Sequence, residues 1–234
     1  MEKWMKSKNE ELIVGKSNEI AVRKAWKFVK GKDGYRFLFL YAGTGCGKTA
    51  LTQAVNQQLV RKGMVVRMRT TDDLVSELIY WLGKGYPLSE FHRNYMKIDG
   101  LLLEDIHNLK GMPETKQYIK ELIALMQSQN IRVWLTSEDR SMLSYLGLGG
   151  FKVVSLHEPN IKMKRDLLRS YTKEKGFKLS NEMINMLAEK NENIRTLQGM
   201  LNKGMFYQDV LGKPFSQSLL DDIIRLEDAR LRRK

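Results

Sequence analysis

The sequence predicts a three-layer α/β domain built on a parallel sheet, followed by a small all-α subdomain. Three observations carry that expectation. Short apolar runs alternate with helix-patterned stretches over the first two thirds of the chain. A glycine-rich loop ending Gly-Lys-Thr joins the first well-formed strand to a helix, and beyond Pro159 the strand pattern stops. In order, residues 36–42, 64–69, 98–104 and 131–136 are short, apolar and bounded by polar residues or glycine, which marks them as strands. Between them, residues 49–63, 71–83 and 114–129 repeat their apolar positions at helical spacing. The Thr71-Asp72-Asp73 start supplies an N-cap, and Gly63 and Gly83 supply stops. Strands alternating with helices imply a parallel sheet covered on both faces. Residues 151–154 form a last strand, His157-Glu158-Pro159-Asn160 breaks the chain, and Asn160 caps the next helix. Residues 161–176, 180–190, 193–212 and 216–234 then give four helices, punctuated by Gly176, Asn191 and Gly212-Lys213-Pro214. The expected domains are 1–158, the αβα part, and 159–234, the helical part.

Composition removes several function classes. The 234 residues carry 40 Lys+Arg against 27 Asp+Glu, a formal charge of +13, yet 42% are hydrophobic, too many for a disordered basic tail. A single Cys excludes an intrachain disulfide and any multi-cysteine metal site. His92, His107 and His157 lack partners at metal-ligand spacing and are expected to be ordinary core or surface residues. Nothing approaches the roughly 20 consecutive apolar residues of a membrane helix. The first residues alternate charges without a signal core, so a soluble, cytoplasmic protein with no membrane partner is expected. The excess positive charge points to a polyanion or an acidic protein surface.

Residues 42–49, Ala-Gly-Thr-Gly-Cys-Gly-Lys-Thr, come directly after a strand and open a helix, which is the P-loop arrangement with Ala in place of the first Gly. Gly43, Gly45 and Gly47 let the backbone curl so that successive N–H groups face phosphates, and the helix N-terminus adds partial positive charge. Lys48 would neutralise the terminal phosphates of ATP or ADP, and the Thr49 hydroxyl would hold Mg²⁺. Thr44, Cys46 and Ala50 complete the nucleotide-binding set. Cys46 is a small tolerated residue in this reading, with a redox switch as the alternative. A P-loop enzyme also needs a carboxylate at the end of a neighbouring buried strand. Leu101-Leu102-Leu103-Glu104-Asp105 supplies two. By position Glu104 would orient the magnesium shell and Asp105 the water. The usual order has Asp first, so the longer Glu104 is expected to slow hydrolysis.

These motifs together resemble the AAA+ module of the bacterial replication initiator DnaA family, over nearly the whole chain. Residues 12–21, which include Val14 and Gly15, resemble the segment that folds over adenine in that family. Residues 91–106 resemble its stretch through Walker B. Residues 131–138 resemble the sensor 1 strand, with Ser137 and Glu138 where the family ends in Ser-Asp. Residues 193–199 resemble the lid signature, which makes Arg195 the sensor 2 arginine and implies a lid that responds to ATP versus ADP.

The departures bear on function. The family's arginine finger lies shortly before the strand entering the lid, but residues 141–151 contain no Arg or Lys, and Arg140 is the one nearby candidate. Such a finger can supply about 10³–10⁵ in rate, so its lack counts against trans-activated hydrolysis and filament formation. Gly111-Met112-Pro113-Glu114 lacks the basic character of the initiator's channel lining. Leu78-Ile79-Tyr80-Trp81 keeps the apolar character of the initiator's additional helix; core packing is the expected explanation, single-strand contact the alternative. The chain begins near the adenine segment and ends just after the lid, so no dedicated duplex-reading domain is expected. The resemblance therefore implies an ATP/ADP-gated switch with at most weak ATPase activity, in replication initiation or its regulation. Weak, sequence-tolerant DNA binding and an initiator or helicase partner are implied with it. A helicase loader or transposition helper is one alternative; a nucleotide-gated binding module without significant hydrolysis is another.

Overall fold

The computed structural model describes residues 12–32, 34–212 and 215–231. By contacts the chain divides into two compact units. Among the described residues, the first contains those within Asn18–Gly43 and Gly47–His157; the second contains those within Ile13–Ser17, Thr44–Cys46 and Glu158–Lys234.

The first unit is a five-stranded sheet, all parallel: β1 (Phe37–Tyr41), β2 (Val66–Thr70), β3 (Gly100–Glu104), β4 (Arg132–Ser137) and β5 (Lys152–Ser155), in the order β2-β3-β4-β1-β5. Among the described residues, six α-helices accompany it: α1 (Glu19–Lys30), α2 (Lys48–Arg61), α3 (Thr71–Gly83), α4 (Leu88–Tyr95), α5 (Pro113–Ser128) and α6 (Met142–Leu146). β3 is buried along its whole length and β4 from Val133 onward, which explains an unbroken Leu101-Leu102-Leu103 rather than polar alternation. Phe39, Leu101, Leu103, Ile119, Leu122 and Leu135 are fully buried in one core. Below α2, buried Trp134 meets Phe28 edge-on at 5.4 Å and donates its indole N–H to Thr52 Oγ1 at 3.1 Å. That bond ties α2 to β4.

All five expected strands are present. The start of α3 differs from expectation: Thr70 is the N-cap, in a capping box with Asp73, while Thr71 lies inside the helix and donates its hydroxyl to the Glu104 carbonyl at 2.8 Å. Likewise Gly83 is the last residue of α3, and the left-handed turn comes later, at Gly85 (φ +77°). Helices α1, α4 and α6 were not expected from the pattern. α1 buries Ala21, Val22, Ala25, Phe28 and Val29, whereas α4 buries two residues, Phe91 and Tyr95.

The second unit carries α7 (Ile161–Glu174), α8 (Asn181–Glu189), α9 (Ile194–Leu211) and α10 (Gln217–Leu231), the four helices expected. Three are capped by side chains, the first as expected: Asn160 Oδ1 accepts from the Met163 N–H (2.9 Å), Ser180 Oγ from Met183 (3.2 Å) and Asn193 Oδ1 from Thr196 (3.0 Å). Each such cap contributes about 1 kcal/mol. Leu168, Leu187, Leu197, Leu201 and Leu220 form the core of this unit. Residues 213–214, part of the expected break before α10, and the basic residues 232–234 lie outside the described residues. No helix among the described residues is long and apolar enough to cross a membrane.

Candidate functional site

β1 ends at Tyr41, and the loop beyond it is anchored by an Ala42 N–H···O bond to Ser137 of β4 (3.1 Å). Gly45 (φ +76°) and Gly47 (φ +94°) occupy the left-handed region, which other residues enter at a cost. Gly47 is the N-cap of α2 and provides no side-chain acceptor, so the first amides of α2 are available to an anion. Lys48 is only 8% exposed. Its Nζ donates to the carbonyls of Ala42 (2.9 Å) and Gly43 (3.2 Å) and to Glu138 Oε1 (3.3 Å). The ammonium is thus held beneath the loop by two carbonyl dipoles and one carboxylate. Thr52 Oγ1 donates to the Lys48 carbonyl (2.9 Å), which fixes the backbone from which that side chain departs.

The end of β3 faces this helix. Glu104 is buried, and its carboxylate interacts with the hydroxyls of Thr49 and Thr52. Burial pushes the Glu104 carboxyl above the usual carboxylate range; the Thr49 hydrogen bond opposes this, the Asp105 charge adds to it, and Lys48 opposes it. One oxygen, Oε1, is buried with no hydrogen-bond partner. An orphaned carboxylate oxygen beside a threonine hydroxyl is a donor set that fits a hard divalent cation, so Thr49 and Glu104 suit Mg²⁺.

Asp105 comes next with φ +58°, unusual outside glycine, and its N–H donates to buried Thr136 Oγ1 at 3.1 Å. Such a conformation costs of order 1–3 kcal/mol and persists because its surroundings fix it. At the end of β4, Glu138 places its carboxylate on Lys48 and donates its N–H to His107 Nδ1 (3.4 Å). Asp139 pairs with Lys110 and accepts from the Ser141 N–H; these donors lower its pKa to about 2. Lys48, Thr49, Glu104, Asp105 and Glu138 therefore belong to one neighbourhood. Sequence reasoning missed the supporting set: Thr71, His107, Thr136 and Asp139. The legible signal was a polar Thr-Ser pair following the apolar Val133-Trp134-Leu135 run of β4.

In the second unit, Val14 and Gly15 line a cavity of about 400 Å³ together with Ile13, Asn160, Met163 and Asp166. A Cβ on Gly15 would stand 3.4 Å from Met163 Sδ. The Asn160 N–H donates to Ser17 Oγ at 3.3 Å. Gly45 belongs to the same unit, and a Cβ there would stand 2.8 Å from Asn193 Oδ1. Thr44 and Cys46 flank it; Cys46 is buried, with Sγ 4.0 Å from the Thr44 carbonyl. Ala50 is exposed in the first turn of α2, and Arg195 is exposed in the first turn of α9.

Arg140 packs over the Tyr41 ring at 5.6 Å. The apolar run 78–81 is not simply core: Leu78 is buried and Trp81 packs against Phe91 and Tyr86, but Ile79 and Tyr80 are 61% and 62% exposed. Helical rotation accounts for the division, since adjacent residues lie about 100° apart around the axis.

Residues 5–146 match the family model described as the bacterial DnaA ATPase domain. The chain belongs to this family. The DnaA of Gluconobacter oxydans is 28% identical over 94% of this chain and 49% of its own length, so the chain spans about half the length of the curated relatives it matches. Domain III of Thermotoga maritima DnaA superposes with a TM-score of 0.80 at 24% identity, covering 92% of this chain and 93% of that one. A replication initiator DnaA bound to AMPPCP and single-stranded DNA superposes with a TM-score of 0.69 at 25% identity, covering 85% and 65%. The fold is thus the DnaA-type P-loop AAA+ fold.

Proposed function

We propose that this chain binds ATP and ADP through its P-loop and acts as a nucleotide-gated switch in replication initiation or its regulation. The observation that carries the reading is the buried Lys48 ammonium under the loop, with Thr49 and the half-satisfied Glu104 carboxylate beside it. Phosphate oxygens offer Lys48 stronger, charge-assisted bonds than the carbonyls of Ala42 and Gly43. Gly43, Thr44, Gly45, Cys46, Gly47 and Ala50 supply backbone to the phosphates, while Val14 and Gly15 serve the base. Mg²⁺, when bound, neutralises phosphate charge, and Thr49 and Glu104 are the residues that would hold it. Asp105, its backbone fixed by Thr136, is assigned to orient water. Glu138 is assigned to sense the phosphate through Lys48, and Arg195 to contact phosphate as sensor 2. The resemblance supports domains at 1–158 and 159–234.

Hydrolysis is proposed to be slow. Glu104 stands where the family has Asp, and residues 141–151 offer no cation for a neighbouring site. A binding module without significant hydrolysis is favoured by the same two facts. DNA contact is proposed as weak and sequence-tolerant: the related initiator holds single-stranded DNA, and here exposed Tyr80 carries Lys84 Nζ 5.6 Å above its ring. An initiator or helicase protein is the proposed protein partner. Turnover measured across protein concentrations tests the slow-hydrolysis reading. A low rate per molecule, independent of concentration, is expected; a steep rise would show that subunits complete one another's sites.

A further inference from the structure

Lys164 is a lysine only 7% exposed, on the first turn of α7. Burying an ammonium is costly unless its protons are satisfied. Here Nζ donates to the carbonyls of Lys190 (3.1 Å) and Glu192 (2.7 Å). Those carbonyls belong to the turn between α8 and α9, at the electronegative end of α8, where main-chain oxygens lack helical partners. Two acceptors two residues apart, gripped by one point charge, fix the path of the turn.

The turn leads directly into functional residues. Asn193, next to Glu192, caps α9 and lies against Gly45 of the P-loop, and Arg195 is two residues further on. On the other side of the grip, just before Lys164, Met163 packs against Gly15, and Asn160 holds Ser17. The start of α7 is therefore a common support for the 13–17 segment and for the start of α9.

We propose that Lys164 is a positioning residue that sets where Arg195 is presented, through its grip on the Lys190 and Glu192 carbonyls. The proposal rests on the reading of Arg195 as a phosphate contact. It gives the switch a physical linkage: displacement of the 13–17 segment by a seated base shifts the start of α7, and Lys164 passes the shift to the start of α9.

The test is a double-mutant cycle on the full chain, with ATP affinity and amide hydrogen exchange as readouts. Lys164→Met is expected to weaken ATP binding about tenfold and to speed exchange at residues 191–196. Lys164→Arg, which keeps charge and donors, is expected to restore most of the affinity. In an Arg195→Ala background, Lys164→Met is expected to weaken binding no further, because the residue it positions is gone. The same tenfold loss in that background would overturn the proposal, since Lys164 would then act independently of Arg195. So would unchanged affinity in Lys164→Met when Arg195→Ala alone binds weakly. If Arg195→Ala alone binds ATP at full strength, the Arg195 reading falls and the proposal falls with it. Should Lys164→Met fail to fold, Lys164→Gln, which keeps one amide donor group, enters the same cycle with the same criteria.

Discussion

Replacing Glu104 by Gln should make the nucleotide-free protein more stable, although it removes a residue assigned to the site. Glu104 is 5% exposed, and its Oε1 has no partner. A buried unsatisfied polar group costs about 1–3 kcal/mol, and more when charged. Gln keeps the hydrogen bond from Thr49 and removes the charge, but leaves one polar atom unpaired. The net gain is then at the low end, about 1 kcal/mol, or about 2–4 °C in melting temperature for a chain of this size. The pH dependence carries the diagnosis. Because burial raises the carboxyl's pKa in the folded state, wild type loses no stability from this group below the ordinary glutamate range, where it is protonated folded and unfolded. The cost enters as pH rises from that range through the raised folded value, and is constant above it. Melting curves of wild type and Glu104→Gln from acid to neutral pH should therefore converge at low pH and separate at neutral pH. Glu104→Gln melting at or below the wild-type temperature at neutral pH would refute the argument, and so would a gap unchanged at acid pH. With Mg²⁺ and ATP the order should invert, because the carboxylate then has a cation to hold.

Other expectations are as direct. Tyr80→Ala should leave melting nearly unchanged, since the side chain is 62% exposed, but weaken single-stranded DNA binding by about tenfold or more if a base stacks there. Affinity should also fall with salt at about −0.7 per phosphate contact in a double-logarithmic plot. Asp139, followed by NMR, should titrate at about 2, and Lys110→Ala should return it toward the ordinary carboxylate range. Its lowered value means that its contribution to stability is complete above the ordinary range and is lost as pH falls toward 2.

Much of this architecture was legible in the sequence because its signals are local. Apolar runs such as 101–103 specify buried parallel strands, Gly45 and Gly47 mark a tightly curled loop, and Asn160 announces a helix start. Helices α4 and α6 were not legible, because each is short and buries two side chains, too few to establish a period. α1 was hidden for another reason: its first residues also fit the adenine segment. In the site, the motif residues were readable one by one, but their partners were not. That Glu138 meets Lys48, or Thr136 the Asp105 amide, depends on β4 lying between β3 and β1. Lys164 is the extreme case: in sequence it is one cation of a basic run, and its burial against two carbonyls exists only once α7 and α8 are packed.

The central claim is that this P-loop holds nucleotide through Lys48. Calorimetric titration of ATP into wild type and Lys48→Ala tests it most directly. Charge-assisted hydrogen bonds contribute about 1.5–3 kcal/mol, so the variant should bind about ten- to hundredfold more weakly while keeping the wild-type fold. Equal affinity in the two proteins, or no binding of ATP by wild type, would contradict the account.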